Sequence, residues 1–307
     1  MRFLLIDGHY YVYRSYHAIQ SLNNSRGEPT NAIYGFVKSV RKMLKDLRPD
    51  YIAVFWDEGL PERRVNLQPA YKQQRQEMPS PMVPQLAFIR RFCSAMGLES
   101  VAKPNTEADD LMACYVAIAL REQIECVLAT SDKDLFQLVG PMVRIYSTNK
   151  ADLKNPADSF VLLGTEEVTQ KWGVPPASIP EVLALTGDSV DNIPGVEKVG
   201  PKTAANLVRE FGTVENLLAN LEKVSNPTLR AKLAANRTQI AHNREMVRLE
   251  LDHDLTVPVK SMTLRPAYPE YIAGLEQCEF RSLLNEVREE AARAGEHPPQ
   301  GLQGELF

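Results

Sequence analysis

The chain has 307 residues, of which 44% are hydrophobic and 24% are charged, and its formal net charge is −4. These proportions are typical of a globular protein with about two domains. No apolar run is long enough to span a membrane, and the N-terminal segment reaches Asp7 too soon to be a signal peptide. The sequence therefore predicts a cytoplasmic protein, while the small negative charge decides nothing about nucleic acid as a partner.

The cysteines lie far apart, each within an apolar stretch. They are Cys93, Cys114, Cys126 and Cys278. This spacing argues against a zinc site and against a disulfide framework. We expect buried thiols and no redox chemistry.

Short β-rich runs alternate with helical stretches along the first half of the chain. In chain order, the predicted strands and helices are RFLLID (2–7), NAIYGFVKSVRKMLKDL (31–47), YIAVFWD (51–57), ADDLMACYVAIALRE (108–122) and ECVLATSDKD (125–134). Strand and helix alternating at this spacing predict an α/β fold, with a mostly parallel central sheet flanked by helices.

Each of the three predicted strands ends in aspartate. Asp7 closes the first strand, Asp57 closes the second, and Asp132 and Asp134 follow the third. Because ligands of open α/β sheets bind beyond the carboxyl ends of the strands, we expect these acids to converge on one crevice. Their mutual repulsion would be costly without cations between them.

The helix predicted after Thr106 begins among three more acids, Glu107, Asp109 and Asp110. One interpretation is purely local: Thr106 caps the helix, Asp109 occupies a capping-box position, and the acids complement the helix dipole. The other interpretation is a metal site shared with the strand-end aspartates, since hard cations such as Mg²⁺ prefer carboxylate ligands. The segment alone does not separate the two.

A later segment, TGDSVDNIPGVEKVGPKTAANLVREFG, combines acids, a glycine-bounded turn and a basic helix. Its notable residues are Asp188, Asp191, Gly195, Gly200, Lys202 and Arg209. A turn between two helices can present backbone N–H groups and lysines to a phosphate backbone. An ordinary helical hairpin fits the pattern equally well.

The segment EGLPERRVNLQPAYKQQRQEMPSPMVP (58–84) is polar, broken by prolines and too long for a routine connection. On composition alone, a solvated loop is its simplest interpretation.

Six stretches together resemble the 5′-nuclease (flap endonuclease) family, most closely the 5′-3′ exonuclease domain of bacterial DNA polymerase I. They are LLIDGHYYVYRSYHA, VFWD, AYKQQR, EADD, TSDKDLFQLV and TGDSVDNIPGVEKVGPKTA, in the family's order and spacing. No polymerase domain follows, so we expect a stand-alone nuclease. The resemblance implies a PIN-like α/β core and a helical helix-three-turn-helix region. It also implies cleavage of branched or 5′-flap DNA with two divalent cations, Mg²⁺ or Mn²⁺.

The resemblance assigns a role to each acid. It places Asp7, Asp57, Glu107, Asp109 and Asp110 around one metal ion, and Asp132, Asp134, Asp188 and Asp191 around the other.

The resemblance also gives the segment 58–85 the role of an arch around the 5′ strand. Lys72 and Arg75 match the family's catalytic lysine and arginine. Lys72 would stabilise developing charge on the phosphate, and Arg75 would position the same strand. Arg63 and Arg64 receive no role, because the residues before Lys72 follow the family pattern loosely.

The basic helix and its turn are expected to hold duplex DNA. Lys198, Lys202 and Arg209 would contact phosphates without reading sequence. Lys198 stands where many relatives have glycine, so a K⁺ ion bound by the carbonyls of this turn is a weaker expectation here.

The chain ends in QGELF, which resembles the pentapeptide that binds the bacterial sliding clamp. Leu306 and Phe307 would be apolar anchors and Gln303 a hydrogen-bonding group, whereas the alternative is a frayed tail. We predict a monomer with a nuclease core (1–175), a helical DNA-binding domain (176–255), a C-terminal extension (256–290) and a flexible tail (291–307). Two other functions stay open: a non-catalytic protein that binds DNA junctions, and a metal-dependent ribonuclease.

Overall fold

The computed structural model describes residues 1–155 and 157–295. The strands in these ranges are β1 (Arg2–Asp7), β2 (Tyr51–Phe55), β3 (Glu99–Val101), β4 (Glu125–Ala129), β5 (Val143–Ser147), β6 (Val161–Leu163), β7 (Gly187–Asp188) and β8 (Ile193–Pro194). The helices are α1 (Gly8–Ala18), α2 (Asn31–Leu47), α3 (Glu62–Leu67), α4 (Val83–Ala95), α5 (Ala108–Arg121), α6 (Thr165–Trp172), α7 (Ile179–Thr186), α8 (Pro201–Phe211), α9 (Val214–Ala219), α10 (Pro227–Ala235), α11 (Arg237–Met246), α12 (Tyr268–Gln277) and α13 (Arg281–Arg293). None of the described helices is long and apolar enough to cross a membrane.

The chain forms two compact units that interleave in sequence. Among the described residues, unit 1 contains 1–7, 55–77 and 102–256, and unit 2 contains 8–54, 78–101 and those from Val257 onward. Every predicted site residue up to Arg209 belongs to unit 1. The four-part division drawn from the sequence stays a prediction.

The sheet of unit 1 confirms the predicted α/β fold class. β1 pairs in parallel with β4, from Arg2 opposite Glu125 to Ile6 opposite Ala129, and β4 pairs in parallel with β5. β6 adds an antiparallel edge. The apolar run of β1 is fully buried, as expected of a strand covered on both faces. This register brings the carboxyl ends of β1 and β4 side by side.

A helical region completes unit 1. The predicted helices on either side of the glycine-bounded turn are α7 and α8, and the short hairpin of β7 and β8 lies between them. Asn243 of α11 is fully buried and donates to the carbonyls of Ala184 (2.9 Å) and Pro194 (2.8 Å). Gly195 passes so close to Thr186 that an added Cβ would lie 2.0 Å from its carbonyl oxygen. The connection from α7 to α8 is therefore tightly constrained.

Unit 2 holds α1, α2, α4, α12 and α13 together with most of β2 and all of β3. α2 has the boundaries predicted from its apolar periodicity. Arg41 of α2 bridges to Glu286 (3.0 Å) and Glu290 (2.6 Å) of α13. The cysteines of both units are free and buried, as predicted.

Candidate active site

The ends of β1 and β4 bring two of the predicted acids to one edge of the sheet. Asp7 closes β1 and accepts a hydrogen bond of 2.9 Å from the hydroxyl of Thr130, the residue after β4. The same hydroxyl accepts from the backbone N–H of Asp132 at 3.0 Å. Thr130 is buried and thereby fixes both acids relative to the strand ends. Two of the predicted strand-end acids therefore lie at one edge of the sheet.

Asp57, the aspartate predicted at the end of the second strand, contacts the first turn of α5. Its carboxylate accepts a 2.9 Å hydrogen bond from the backbone N–H of Ala108, the first residue of α5. The predicted Thr106 cap is wrong, because the Thr106 hydroxyl donates instead to the Pro104 carbonyl and Glu107 occupies the N-cap position. A side chain from a distant segment therefore satisfies an N–H group that a local cap would otherwise satisfy.

Three carboxylates at the start of α5 form a compact group. Oxygens of Glu107, Asp109 and Asp110 lie within 4.8 Å of one another. Glu107 and Asp110 are buried, and the Asp109 side chain retains 13% exposure. An all-oxygen anionic group of this kind suits a hard divalent cation. Among the residues that the structure describes, the other six predicted ligands do not form a second group of this compactness.

Four of the remaining predicted ligands interact electrostatically with this group or with one another. Burial and then the neighbouring Asp132 raise the pKa of Asp134 well above its usual value, with further contributions from Asp188 and Asp191. Burial likewise raises the pKa of Asp109; Arg64 opposes that shift, and the adjacent acids, including Asp132, add to it. The two predicted sets of acids thus lie in one region of negative potential. A bound divalent cation would relieve that repulsion, so the residues present fit the implied metal.

The segment after α3 brings Lys72 to the acids. Lys72 pairs with Glu107 and lies 3.7 Å from Asp191, while Arg75 lies 3.3 Å from Asp191. Burial lowers the pKa of Lys72, but Glu107 and Asp191 outweigh it, so its pKa is raised and the ammonium stays charged. The Tyr71 hydroxyl donates to Glu107 at 3.0 Å. The two cations predicted to act on phosphate therefore border both sets of acids.

Backbone contacts hold this segment in place. Lys72 has a φ of +55°, in the left-handed region, and its N–H donates to the Asp191 carbonyl at 3.2 Å. Gln68 donates to the Asn192 carbonyl (2.6 Å), and the Asn192 amide returns a bond to the Ala70 carbonyl (2.7 Å). The strained backbone at Lys72 is thus stabilised by bonds on both sides, a common feature of residues whose position matters for function.

The structure adds one residue that the sequence left without a role. Arg64 of α3 is 1% exposed and pairs with Glu107 and with Asp110 (2.9 Å). Nothing in ERRVNL distinguishes Arg64 from Arg63. Arg64 becomes buried because its side chain bonds to the carbonyl of Met246, at the end of α11 and 182 positions away.

The predicted DNA-contacting residues lie on the surface of unit 1. Lys202 and Arg209 are exposed and seven residues apart, so they share one face of α8. The opposite face buries Leu207 and Phe211. Lys198 is 81% exposed and has a φ of +65°, a conformation that favours glycine. The three predicted tail residues, Gln303, Leu306 and Phe307, fall outside the described part of the chain.

Two consecutive family models match this chain. The first, described as 5′-3′ exonuclease, N-terminal resolvase-like domain, matches residues 2–173, and the second, 5′-3′ exonuclease, C-terminal SAM fold, matches residues 174–270. A 5′-3′ exonuclease of Aquifex aeolicus is 36% identical over 284 residues, covering 92% of this chain and 94% of that protein. The thermostable DNA polymerase I of Thermus filiformis is 37% identical over 309 residues, covering 98% of this chain but only 35% of the polymerase.

Solved structures show the same fold. A flap endonuclease of bacteriophage T5, in a complex with DNA and metal ions, has a TM-score of 0.66 at 20% identity and covers 95% of this chain and 100% of its own. The catalytic core of Rad2 with a DNA substrate has a TM-score of 0.62 at 17% identity, covering 93% of this chain and 91% of its own. The family models and the Aquifex relative confirm the resemblance found in the sequence: the chain belongs to the 5′-3′ exonuclease family.

Proposed function

We propose that this protein is a structure-specific 5′-3′ exonuclease and flap endonuclease that hydrolyses DNA phosphodiesters near 5′ flaps with two divalent ions, Mg²⁺ or Mn²⁺. The observation that carries the proposal is the placement of Lys72 against Glu107, beside Asp109, in a chain of this family. A cation aimed into a group of carboxylates is the arrangement that phosphoryl chemistry needs, since phosphate and metal must meet there. The T5 relative was solved with both DNA and metal ions.

The acids divide between the two ions as the family resemblance implies. One ion would be held among Asp7, Asp57, Glu107, Asp109 and Asp110, and the other among Asp132, Asp134, Asp188 and Asp191. When bound, such ions lower the pKa of water and stabilise charge on the leaving oxygen. Thr130 supports two sites close together, because its hydroxyl bonds both to Asp7, of the first set, and to the backbone of Asp132, of the second.

Lys72 and Arg75 would hold the scissile phosphate. Both border Asp191, so a phosphate at this edge is within reach of an ammonium and a guanidinium. Lys72 donates from a fixed backbone position, which favours stabilising charge that develops during the reaction. Arg75 is about half exposed, and its planar guanidinium can donate two parallel hydrogen bonds to a phosphate. This geometry is suited to positioning the DNA strand.

The duplex beside the junction would be bound through its phosphates by Lys198, Lys202 and Arg209. Their exposure on the turn and on one face of α8 supports contacts to the phosphate backbone rather than to bases. A K⁺ ion bound by the carbonyls of the turn stays a prediction. So do the monomeric state and the binding of a sliding clamp through Gln303, Leu306 and Phe307.

The test is cleavage of a synthetic duplex with a 5′ DNA flap. Mg²⁺ should support cleavage near the junction, EDTA should stop it, and Mn²⁺ should restore it. Two matched substrates separate the alternatives: a duplex without a flap and the same junction with an RNA flap. Tight binding without cleavage would mean a junction-binding protein, and preference for the RNA substrate would mean a ribonuclease.

A further inference from the structure

The buried pair of Arg64 and Asp110 stands out because neither side chain can reach solvent. We propose that the two are positioning residues: the pair orients Glu107 toward the divalent ion, and Asp110 does not itself bind the ion. The inference rests on the proposed function and reassigns one of the acids that the family resemblance had placed around the metal.

The five N–H donors of Arg64 all have acceptors. Its Nε donates to the Met246 carbonyl (3.2 Å), one terminal nitrogen donates to Glu107 and to Asp110 (2.9 Å), and the other donates to Asp110 (3.0 Å) and to the Arg248 carbonyl (3.3 Å). A guanidinium has five donors in a rigid plane, so this network fixes its orientation completely. Glu107 and Asp110 are thereby fixed relative to each other.

The oxygens of Asp110 accept three hydrogen bonds from within the protein. Oδ2 accepts from Arg64, while Oδ1 accepts from Arg64 and from the Glu250 N–H at 2.8 Å, and the side chain is fully buried. A cation that bound Asp110 would have to displace Arg64 or the Glu250 N–H inside the protein, which is costly. Glu107 is also buried, but its partners Tyr71 and Lys72 lie against Asp191 too, so its carboxylate faces the other predicted ligands. Asp109 differs, because it keeps 13% exposure and lies 3.8 Å from Arg64, beyond hydrogen-bonding distance.

Arg63 provides a matched control. It is the neighbour of Arg64 on α3, and it bonds to the same chain segment: to the carbonyls of Glu245 (2.7 Å) and Arg248 (2.8 Å) and to the Glu250 carboxylate (2.8 Å). It helps to anchor α3, and within residues 1–155 and 157–295 its hydrogen bonds go to Glu245, Arg248 and Glu250 rather than to a predicted ligand. If Arg64 only anchored α3, removing either arginine would have the same consequence.

The experiment is calorimetric titration of the full chain with Mn²⁺. Asp109→Asn should lose one equivalent of bound Mn²⁺. Asp110→Asn and Arg64→Met should keep the wild-type number of ions and bind Mn²⁺ about 10- to 100-fold more weakly, as expected for groups that orient ligands. Arg63→Met should bind Mn²⁺ like wild type. On flap DNA, Arg64→Met should lower kcat and leave KM unchanged.

A paired variant, in which both residues are replaced, controls for misfolding of the single variants. Removing one member of a buried ion pair can unfold a protein, whereas replacing both by apolar residues is often tolerated. Arg64→Met combined with Asp110→Leu should fold by circular dichroism and bind Mn²⁺ no more weakly than the weaker single variant, since the two residues act as one unit.

Three results would overturn the inference: loss of one Mn²⁺ equivalent in Asp110→Asn, equal effects of Arg63→Met and Arg64→Met, or fully additive losses in the paired variant. These results differ from failure of the proposed function, in which the wild-type protein itself would bind no Mn²⁺ or leave flap DNA intact.

Discussion

The acid-rich edge and the basic face of α8 use charge in opposite ways. At the edge, Glu107 and Asp110 are buried and each has a specific partner, so small displacements change the chemistry. On α8, Lys202 and Arg209 are exposed and reach into solvent. Buried pairs act through geometry and are strongly coupled, whereas exposed cations act through summed charge that salt screens. Substitutions should therefore have large effects among the buried acids and smaller, salt-dependent effects on α8.

The largest effect is expected from an acid at the edge. Asp132→Ala should abolish cleavage, because it removes a proposed ligand and the acid that Thr130 fixes next to Asp7. Binding of flap DNA in Ca²⁺ should survive, as measured by fluorescence anisotropy. Cleavage within about tenfold of wild type, a loss smaller than one electrostatic donor usually causes, would contradict the assignment.

The next largest effect concerns Lys72. Lys72→Ala should lower kcat about 10²- to 10³-fold, the usual cost of losing one electrostatic donor, with little change in DNA affinity. Lys171→Ala serves as the control, because Lys171 pairs with Asp152 and not with a predicted ligand. Single-turnover rates and anisotropy measure the two quantities separately. A variant that is weakened only in binding would show that Lys72 merely holds the substrate.

Stability in EDTA should depend on pH through the crowded acids. Burial raises the pKa of Asp109, Asp134 and Asp191 above 3.8, so the native state binds protons more tightly than the unfolded chain. The free energy of unfolding should then fall as the pH rises from about 4 toward the raised native values. Mg²⁺ should reduce the fall by stabilising the ionised carboxylates. Urea unfolding at several pH values, with EDTA or Mg²⁺, measures the free energy of unfolding. A free energy of unfolding that rises with pH in EDTA would contradict the prediction.

Substitutions on the turn and on the exposed face of α8 should have smaller effects, seen in the salt dependence of DNA affinity. The double variant Lys198→Gly with Lys202→Ala should flatten the dependence of log affinity on log salt by about 2 units if both lysines contact phosphate. Glycine is the better replacement at position 198 because of the φ of +65° there. Lys154→Ala with Lys171→Ala removes the same charge from lysines that pair with Glu167 and Asp152. An unchanged slope in the first variant would place DNA binding elsewhere.

The smallest effect on catalysis is expected from the C-terminal residues. Deleting 303–307 should leave cleavage of a free flap substrate unchanged but abolish co-elution with a purified bacterial sliding clamp. The sequence QGELF supplies two apolar anchors and a glutamine for such a pocket. If the truncated chain still co-elutes with the clamp, the tail does not bind the clamp. The proposed nuclease activity would be unaffected by that result.

The sequence predicted those parts of the site that depend on regular local patterns. Asp7 follows a strand of uninterrupted apolar residues, and α2 follows its apolar periodicity, so both could be placed before the structure. The Thr106 cap was wrong because Asp57, distant in sequence, bonds to the start of α5. Arg64 was missed for the same reason: its burial depends on the carbonyls of a segment 182 positions away. Local spacing cannot report such contacts.

Metal-triggered cleavage tests the central claim most directly. The protein would be mixed with flap DNA in EDTA, and excess Mg²⁺ added rapidly while product is followed. The account predicts no product before Mg²⁺, rapid cleavage after it in the wild-type chain, and none in Asp109→Asn despite normal DNA binding. Cleavage in EDTA, or equal rates in wild type and Asp109→Asn, would contradict it.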